Sequence, residues 1–389
     1  MSASRPAYFD YHATTPLDPR VLERMMPFLT DAFGNASSKH HSYGWFASDS
    51  VELAREQVAD LLGATAREIV FTSGATESNN LAILGAARAR GTGHVITQAT
   101  EHKAVLDVVQ ALESEGFAVT VLPVDASGRV SANAVEGAIR EDTFLVSVMH
   151  ANNEVGTVHD LASIGQVCRA HGVWLHSDAA QTAGKLPIDL SSWPVDLLSL
   201  SAHKFYGPKG VGALFVRRRA PRVTLAPSFF GGGHERGLRS GTLNVPAIVG
   251  LGAAAALAFE EMGEESARVQ ALRDTLEARL LERVPTARVF GPKDRLHNNL
   301  NMWFPGVAAD ALLGRARAVA ASSGSACSST SLEPSHVLKA MGFGADEIQG
   351  AVRLSLGRFS EATDVDRAVE SLVRAYEDLL SQSTGNRVD

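Results

Sequence analysis

The sequence predicts an α/β protein, with a mostly parallel sheet carrying helices on both faces, followed by a smaller α+β domain. Three observations carry this. Short apolar runs alternate with helix-like stretches from Ile69 to Arg218. Thr76, His102, Asn153, Asp178, Ser201, His203 and Lys204 each follow one of those runs, and in open parallel sheets the ligand crevice lies beyond the carboxyl ends of the strands. From Val245 to Val284 the pattern becomes continuously helical, after which short strands and helices mix. The expected organisation is a large domain over residues 15–260, with residues 1–14 and 261–389 forming the small one.

Met1–Pro16 holds YFDYHATTP, a strand-like piece entering a turn, and Leu17–Phe28 reads as a helix with Pro19 near its start. Phe33–Gly44 is polar and Gly-flanked, hence a loop; its adjacent His40 and His41 lack a third ligand at metal-binding spacing. Phe46–Leu62 has helical periodicity and stops at Gly63. Ile69–Phe71 is a strand, Thr72–Gly74 a tight loop, and Ala75 onward a helix. Such a helix start is either a phosphate cradle or an ordinary cap made by Ser73 or Thr76. Strands follow at His94–Thr100, Ala118–Pro123, Phe144–Gly156 and Val173–Asp178, with helices at Ala104–Ser114, Ala132–Arg140 and Leu161–His171 between them.

The stretch Asp196–Gly212 reads DLLSLSAHKFYGPKGVG. Leu197–Leu200 forms a buried strand that delivers Ser201, Ala202, His203 and Lys204 into a loop, where Gly207, Pro208 and Gly210 stop a helix. A lysine on such a rigid strand end is either solvated or held and partly desolvated, the second state suiting Schiff-base chemistry. ALFVRR (213–218) is another strand. Phe229–Asn244 is too rich in Gly and Arg for a regular element, and Leu300–Phe304 and Val352–Leu356 are strands of the small domain.

Composition narrows the function. A net charge of −7 argues against a nucleic-acid-binding surface. Met1–Ala7 is polar with no apolar stretch behind it, so no secretory signal is expected. Val245–Phe259, interrupted by Pro246, falls short of the roughly 20 residues of a membrane span, so no membrane partner is expected. The two cysteines, Cys168 and Cys327, fit a reducing, cytoplasmic setting. Cys168, on an amphipathic helix, reads as buried and structural. A phosphate cradle, a strand-end lysine, a strand-end aspartate and a histidine in one crevice suggest pyridoxal phosphate, against a nucleotide as the alternative.

The stretches DYHATTPLDPRV, FTSGATESNNLAI, TEHKAVLD, NNEVGTV, HSDAAQTAGKLPIDL, LSAHKFYGPKGVGALFVRR, GGGHERGLRSGTLN, SSGSACSSTSLEPSHVL and VRLSLGRF run from near the N-terminus to residue 359. Together they resemble the cysteine desulfurases of the class V aminotransferase superfamily, pyridoxal-phosphate-dependent transferases of fold type I, and are most similar to the bacterial enzymes of iron–sulfur cluster assembly. SAHK-x-x-GPKG together with SSGSAC is specific, because two unrelated parts of the chemistry must both be present.

The resemblance implies roles residue by residue. Lys204 is the Schiff-base lysine, His102 stacks on the ring and moves protons, Asp178 pairs with the ring nitrogen and Gln181 with the ring oxygen. Ala75 and Thr76 hold the phosphate, aided by Ser201 and His203, and Thr242 reaches the phosphate of the partner subunit in a homodimer. Asn153 and Arg353 hold the carboxylate of L-cysteine. Cys327 accepts the sulfur as a persulfide, giving L-alanine, and passes it to a protein acceptor such as an iron–sulfur scaffold or a tRNA-thiolation carrier. Read from the residues alone, Ser322–Thr330 is built of small side chains that anchor no core, so its cysteine is expected on a mobile loop. No permanent metal site is expected; a transient cluster-ligand role for Cys327 stays open. The alternatives are a selenocysteine lyase or another class V aminotransferase, and the latter needs no loop cysteine. His12 stands where the family often has a small residue, and either approaches the mouth of the site or caps the turn.

Overall fold

The computed structural model describes residues 5–323 and 334–385. Its centre is a seven-stranded sheet in the order Ile69–Thr72, Gly212–Val216, Leu197–Ser201, Trp174–Asp178, Thr143–Ser147, His94–Gln98, Ala118–Leu122. Neighbours from Leu197–Ser201 to Ala118–Leu122 pair in parallel. Gly212–Val216 is antiparallel to both of its neighbours, so the other six strands share one direction. Their carboxyl ends open at one edge, as the mostly parallel α/β class requires.

Alternation of side chains along each strand divides the core between two faces. Ile69 and Phe71 join Ile96, Val146, Leu175 and Leu198 in one cluster, backed by Val51, Ala54 and Val58 of helix Ser42–Leu62. Val70 joins Val95, Leu145, Leu197 and Leu214 in another, backed by Leu81 and Ile83 of helix Ala75–Arg90 and by Val105 and Val109 of helix Lys103–Ser114. Cys168 is fully buried in the first cluster, and burial, with Asp196 nearby, pushes its thiol up to about 12.

The helical stretch after Val245 is a single helix, Val245–Arg283. Its 39 residues span about 58 Å at the α-helical rise. Pro246 sits in its first turn, where the missing N–H costs nothing, and Asn244 caps it by accepting from Ala247 N. Part of this helix is apolar enough to cross a membrane, but half of that window is buried inside the protein, against helix Ser42–Leu62 among others. The first half, to Ala258, belongs to the large apolar cluster. Val269, Leu276 and Leu280 belong to a separate one with Leu300, Met302, Val352, Leu354 and Leu372.

That second cluster underlies a four-stranded antiparallel sheet in the order Ser322–Ser323, Ala351–Ser355, Asn299–Trp303, Arg288–Phe290. The N-terminal piece Ala7–Tyr8 pairs in parallel with Val319–Ala320, and Ala7 and Phe9 lie in the second cluster. Beyond Asp10 the chain turns to the large sheet, where Thr15 N donates to the His203 carbonyl at 2.9 Å.

Three local expectations change. Helix Ser42–Leu62 begins inside the segment read as a loop; His41 is its N-cap, its Nδ1 accepting from Gly44 N at 3.2 Å. Residues Ala202–Lys204 form one 3-10 turn before the glycines end it. The Gly-rich segment 229–244 contains one short turn, Glu235–Gly237, held by a buried ion pair. Arg55 donates to both Glu235 oxygens, at 2.7 and 2.8 Å, and Phe71 N donates to Oε2 at 2.8 Å.

Gly252 marks a close approach of the long helix to helix Ser42–Leu62. A Cβ there would lie 2.5 Å from the Ala54 Cα and 2.6 Å from its Cβ. Gly252→Val should therefore push two packed helices apart and destabilise the fold by about 1–3 kcal/mol. Denaturant unfolding measures this, and an unchanged midpoint would contradict the packing.

Candidate active site

At the common carboxyl edge lies a cavity of about 370 Å3, lined among others by Ala75, Thr76, His102, Asn153, Asp178, Gln181, Ser201, His203 and Lys204. Nine sequence-predicted residues separated by up to 129 positions thus meet there because their strands end side by side. Arg353 and Thr242 do not line it. Arg353, on the small-sheet strand Ala351–Ser355, reaches over to donate to the Asn153 carbonyl at 3.3 Å. Its other terminal nitrogen donates to Asp10 Oδ1 at 2.8 Å. Thr242 is exposed on the Gly-rich segment. Cys327 lies outside the described residues.

One end of the cavity is built by the start of helix Ala75–Arg90. Its N-cap is Gly74, and no side chain caps it, so the capping alternative for Ser73 or Thr76 falls away. Glu77 instead accepts from Ser73 N at 2.8 Å, outside the helix proper. The first-turn N–H groups and the positive end of the helix dipole are left for an anion. Glycine is needed where this turn meets the sheet: Gly74 has φ +149°, and a Cβ on Gly212 would lie 2.6 Å from the Gly74 Cα. His203 lines the same cavity, its Nδ1 3.1 Å from Thr14 Oγ1. Burial, and then Lys204, lowers its imidazole to about 4.

Asp178 ends its strand with both oxygens engaged. Asn79 Nδ2 donates to Oδ2 at 2.7 Å and Ala180 N donates to Oδ1 at 2.9 Å. Two donors fix the orientation of this carboxyl group at the cavity wall. Asn79 escaped the sequence reading, although its helical spacing from Ala75 and Thr76 puts it on the same face.

His102 is the N-cap of helix Lys103–Ser114, its Nδ1 accepting from Ala104 N at 3.0 Å. With Nδ1 an acceptor, the neutral ring carries its proton on Nε2. Burial lowers the imidazole, opposed by Asp178 and reinforced by Lys204. Glu101, next to it, is fully buried and pushed up to about 8 by desolvation. Its Oε1 accepts from Met149 N at 2.6 Å and from Gln98 Nε2 at 2.8 Å, tying two strand ends together.

Lys204 Nζ donates to the carbonyls of His12 at 2.6 Å and Ala13 at 2.9 Å. The ammonium is thus held by backbone of the N-terminal segment, half-buried at the cavity wall. Gln181 lies opposite, and its amide contacts His12 and Lys185. Lys185 was assigned no role in the sequence; of the two expectations for His12, approach to the site or capping of the turn, its ring contact with Gln181 corresponds to the first.

The cavity therefore has an anion-binding end, a carboxylate, an imidazole and an amine. It fits pyridoxal phosphate: the uncapped helix start suits the phosphate, Asp178 the ring nitrogen and Lys204 the aldehyde.

Comparison with known proteins agrees with this geometry. The family described as Aminotransferase class-V matches residues 7–368. A "Cysteine desulfurase IscS" of Anaeromyxobacter dehalogenans (strain 2CP-C) is 55% identical over 368 residues, covering 94% of this chain and 91% of that protein. Among solved structures, a "NifS-like protein" superposes with a TM-score of 0.89 at 38% identity, covering 96% of this chain and 100% of the other. The structure described as "SspA in complex with cysteine" has a TM-score of 0.81 at 43% identity, covering 91% and 100%. With the match spanning both apolar cores and the whole cavity edge, the chain belongs to the class V aminotransferase family, among its cysteine desulfurases.

Proposed function

We propose that this protein is a pyridoxal-phosphate-dependent cysteine desulfurase that moves the sulfur of L-cysteine to Cys327, leaving L-alanine. The observation that carries the reading is the meeting of the uncapped helix start, Asp178, His102 and Lys204 in one cavity. When bound, the cofactor supplies an electron sink for cleavage beside the amino carbon.

The protein groups divide the remaining work. Ala75 and Thr76 offer N–H groups to the phosphate, with Ser201 and His203 beside them; a neutral His203 donates or accepts without adding charge. Asp178, oriented by Asn79 and Ala180, keeps a proton on the ring nitrogen. Lys204 Nζ, once off the His12 and Ala13 carbonyls, holds the cofactor and takes up the substrate Cα proton. His102, neutral with Nε2–H facing away from its own helix cap, would stack on the ring of the bound cofactor and carry protons at Nε2.

Arg353 divides its terminal nitrogens between the Asn153 carbonyl and Asp10, and its planar fork, together with Asn153, takes the substrate carboxylate. The Cys327 thiolate attacks the substrate sulfur. The carbon–sulfur bond breaks with its electron pair left on Cβ, which takes up a proton; Cys327 keeps the sulfur as a persulfide, and the three-carbon product, reprotonated at Cα, leaves as alanine. The persulfide then serves a protein acceptor such as an iron–sulfur scaffold.

A homodimer belongs to this reading. Phe33, Tyr43, Trp45, Phe46 and Leu53 expose more than half of their surface on segment 33–53, and Leu29 adds to them. Apolar exposure on this scale marks an interaction face. Ser37 Oγ lies 3.0 Å from His234 Nε2, and Gly241 N donates to His234 Nδ1 at 3.3 Å, so the turn bearing Thr242 abuts that face. Dimerisation there carries Thr242 toward the partner's phosphate.

Lys204→Ala should abolish the visible absorption of lysine-bound pyridoxal phosphate; a normal spectrum would remove Lys204 from its role. Cys327→Ala should keep that spectrum and lose alanine formation from L-cysteine by at least about 1,000-fold, with unchanged turnover the contrary result. Trp45→Glu combined with Phe46→Glu should convert the dimer to monomer in sedimentation and weaken cofactor retention. An intact dimer would place the interface elsewhere.

A further inference from the structure

His12 is 1% exposed and lies beside three cations, Lys185, Lys204 and Arg353. Desolvation first, and then those charges, hold its imidazole well below the usual range, so the ring is neutral. The neighbours decide which nitrogen bears the proton. Gln181 faces the His12 backbone carbonyl with its Nε2 at 3.0 Å, and a carbonyl only accepts, so the amide nitrogen must be there. The amide oxygen then faces Lys185 Nζ at 3.3 Å and His12 Nδ1 at 2.7 Å. An amide oxygen only accepts, so Nδ1 must donate. His12 is the Nδ1–H tautomer, and its Nε2 is a buried acceptor without a hydrogen bond.

We propose that His12 is a positioning residue: with Lys185 it holds the Gln181 amide so that the second N–H of Gln181, and not its oxygen, faces the cofactor's ring oxygen. The proposal rests on the reading of the cavity as a pyridoxal phosphate site. Lys185 is fully buried, with Lys204 and His297 on one side and Glu265 as its acidic neighbour. It donates an N–H to Gln181 whether or not it is charged. Removing one of the two donors loosens the amide; removing both leaves only the His12 backbone carbonyl to hold it, through Nε2, so the second N–H is placed less firmly. A donor beside the ring oxygen favours the deprotonated form of the bound cofactor, whereas an oxygen there disfavours it. The same His12 carbonyl accepts from Lys204, so this one residue sets both sides of the lysine–cofactor junction.

The test is a pH titration of the visible band of the protein loaded with pyridoxal phosphate. His12→Ala should raise the apparent pKa of that band by at least about 0.5, roughly threefold in proton affinity. His12→Ala with Lys185→Met should raise it further. His12→Asn, whose amide nitrogen stands where Nδ1 was, should stay with the unaltered protein. A His12→Ala titration that overlays the unaltered one overturns the proposal alone; absence of any visible band in the unaltered protein overturns the site reading and this proposal with it. Histidine 15N spectra of the unaltered loaded protein give a readout that needs no core variant. A protonated Nδ1 and a bare Nε2 at His12 are expected, and the opposite tautomer overturns the assignment.

Discussion

Six strands that end at the same edge are the constraint on which the rest of this molecule depends. Parallel pairing forces each strand to return by a crossover, most of them helical, so every strand end is followed by a turn facing the same side. Thr72, Asp178 and Ser201 terminate three such strands, and their side chains or the residues just after them make the cavity. Reversal of Gly212–Val216 does not disturb this. That strand starts at the edge, and Gly212 lets its backbone pass close to Gly74. A rigid sheet edge is what allows an amine, a carboxylate and a helix terminus to be held within one small volume without relying on loops.

The second level of organisation is the helix Val245–Arg283. Among the described residues it is the one element with side chains in both of the clusters that underlie the large and the small sheet. Gly252 lets it lie against helix Ser42–Leu62, and its far end supports the sheet that bears Arg353. The N-terminal segment works in the opposite direction, leaving the second cluster at Phe9 and reaching the cavity by His12. Arg353 and Asp10, paired at 2.8 Å, are where these two routes meet. The proposed substrate carboxylate site is thus a junction between cores, and its arginine depends on packing far from the cofactor.

Burial, more than any single charge, sets the electrostatics of the site. His12, His102, His203 and Lys185 are all pushed toward their neutral forms, with desolvation as the largest cause in each. Neutral imidazoles donate at one nitrogen and accept at the other, so proton position becomes a matter of hydrogen-bond partners. His102 accepts at Nδ1 from its own helix, and His12 donates at Nδ1 to Gln181. Two histidines in one site thereby have opposite tautomers for local reasons.

The sequence by itself determined the α/β class, the strand ends and seven residues of the cavity, because hydrophobic periodicity and glycine turns are local properties; Ala75 and Gln181 came from the family resemblance. The motif around Lys204 and the separate SSGSAC motif also made the desulfurase family legible, since each preserves its own part of the chemistry. Helix starts were less legible: His41 looked like a doubtful metal ligand and proved to be a cap, which depends on backbone direction rather than residue type. Only the tertiary structure decided the rest. Asn79 behind Asp178, Asp10 beside Arg353, and the His12–Gln181 contact join residues 99, 343 and 169 positions apart. No spacing rule links such pairs; they exist because two cores and one sheet edge press the segments together.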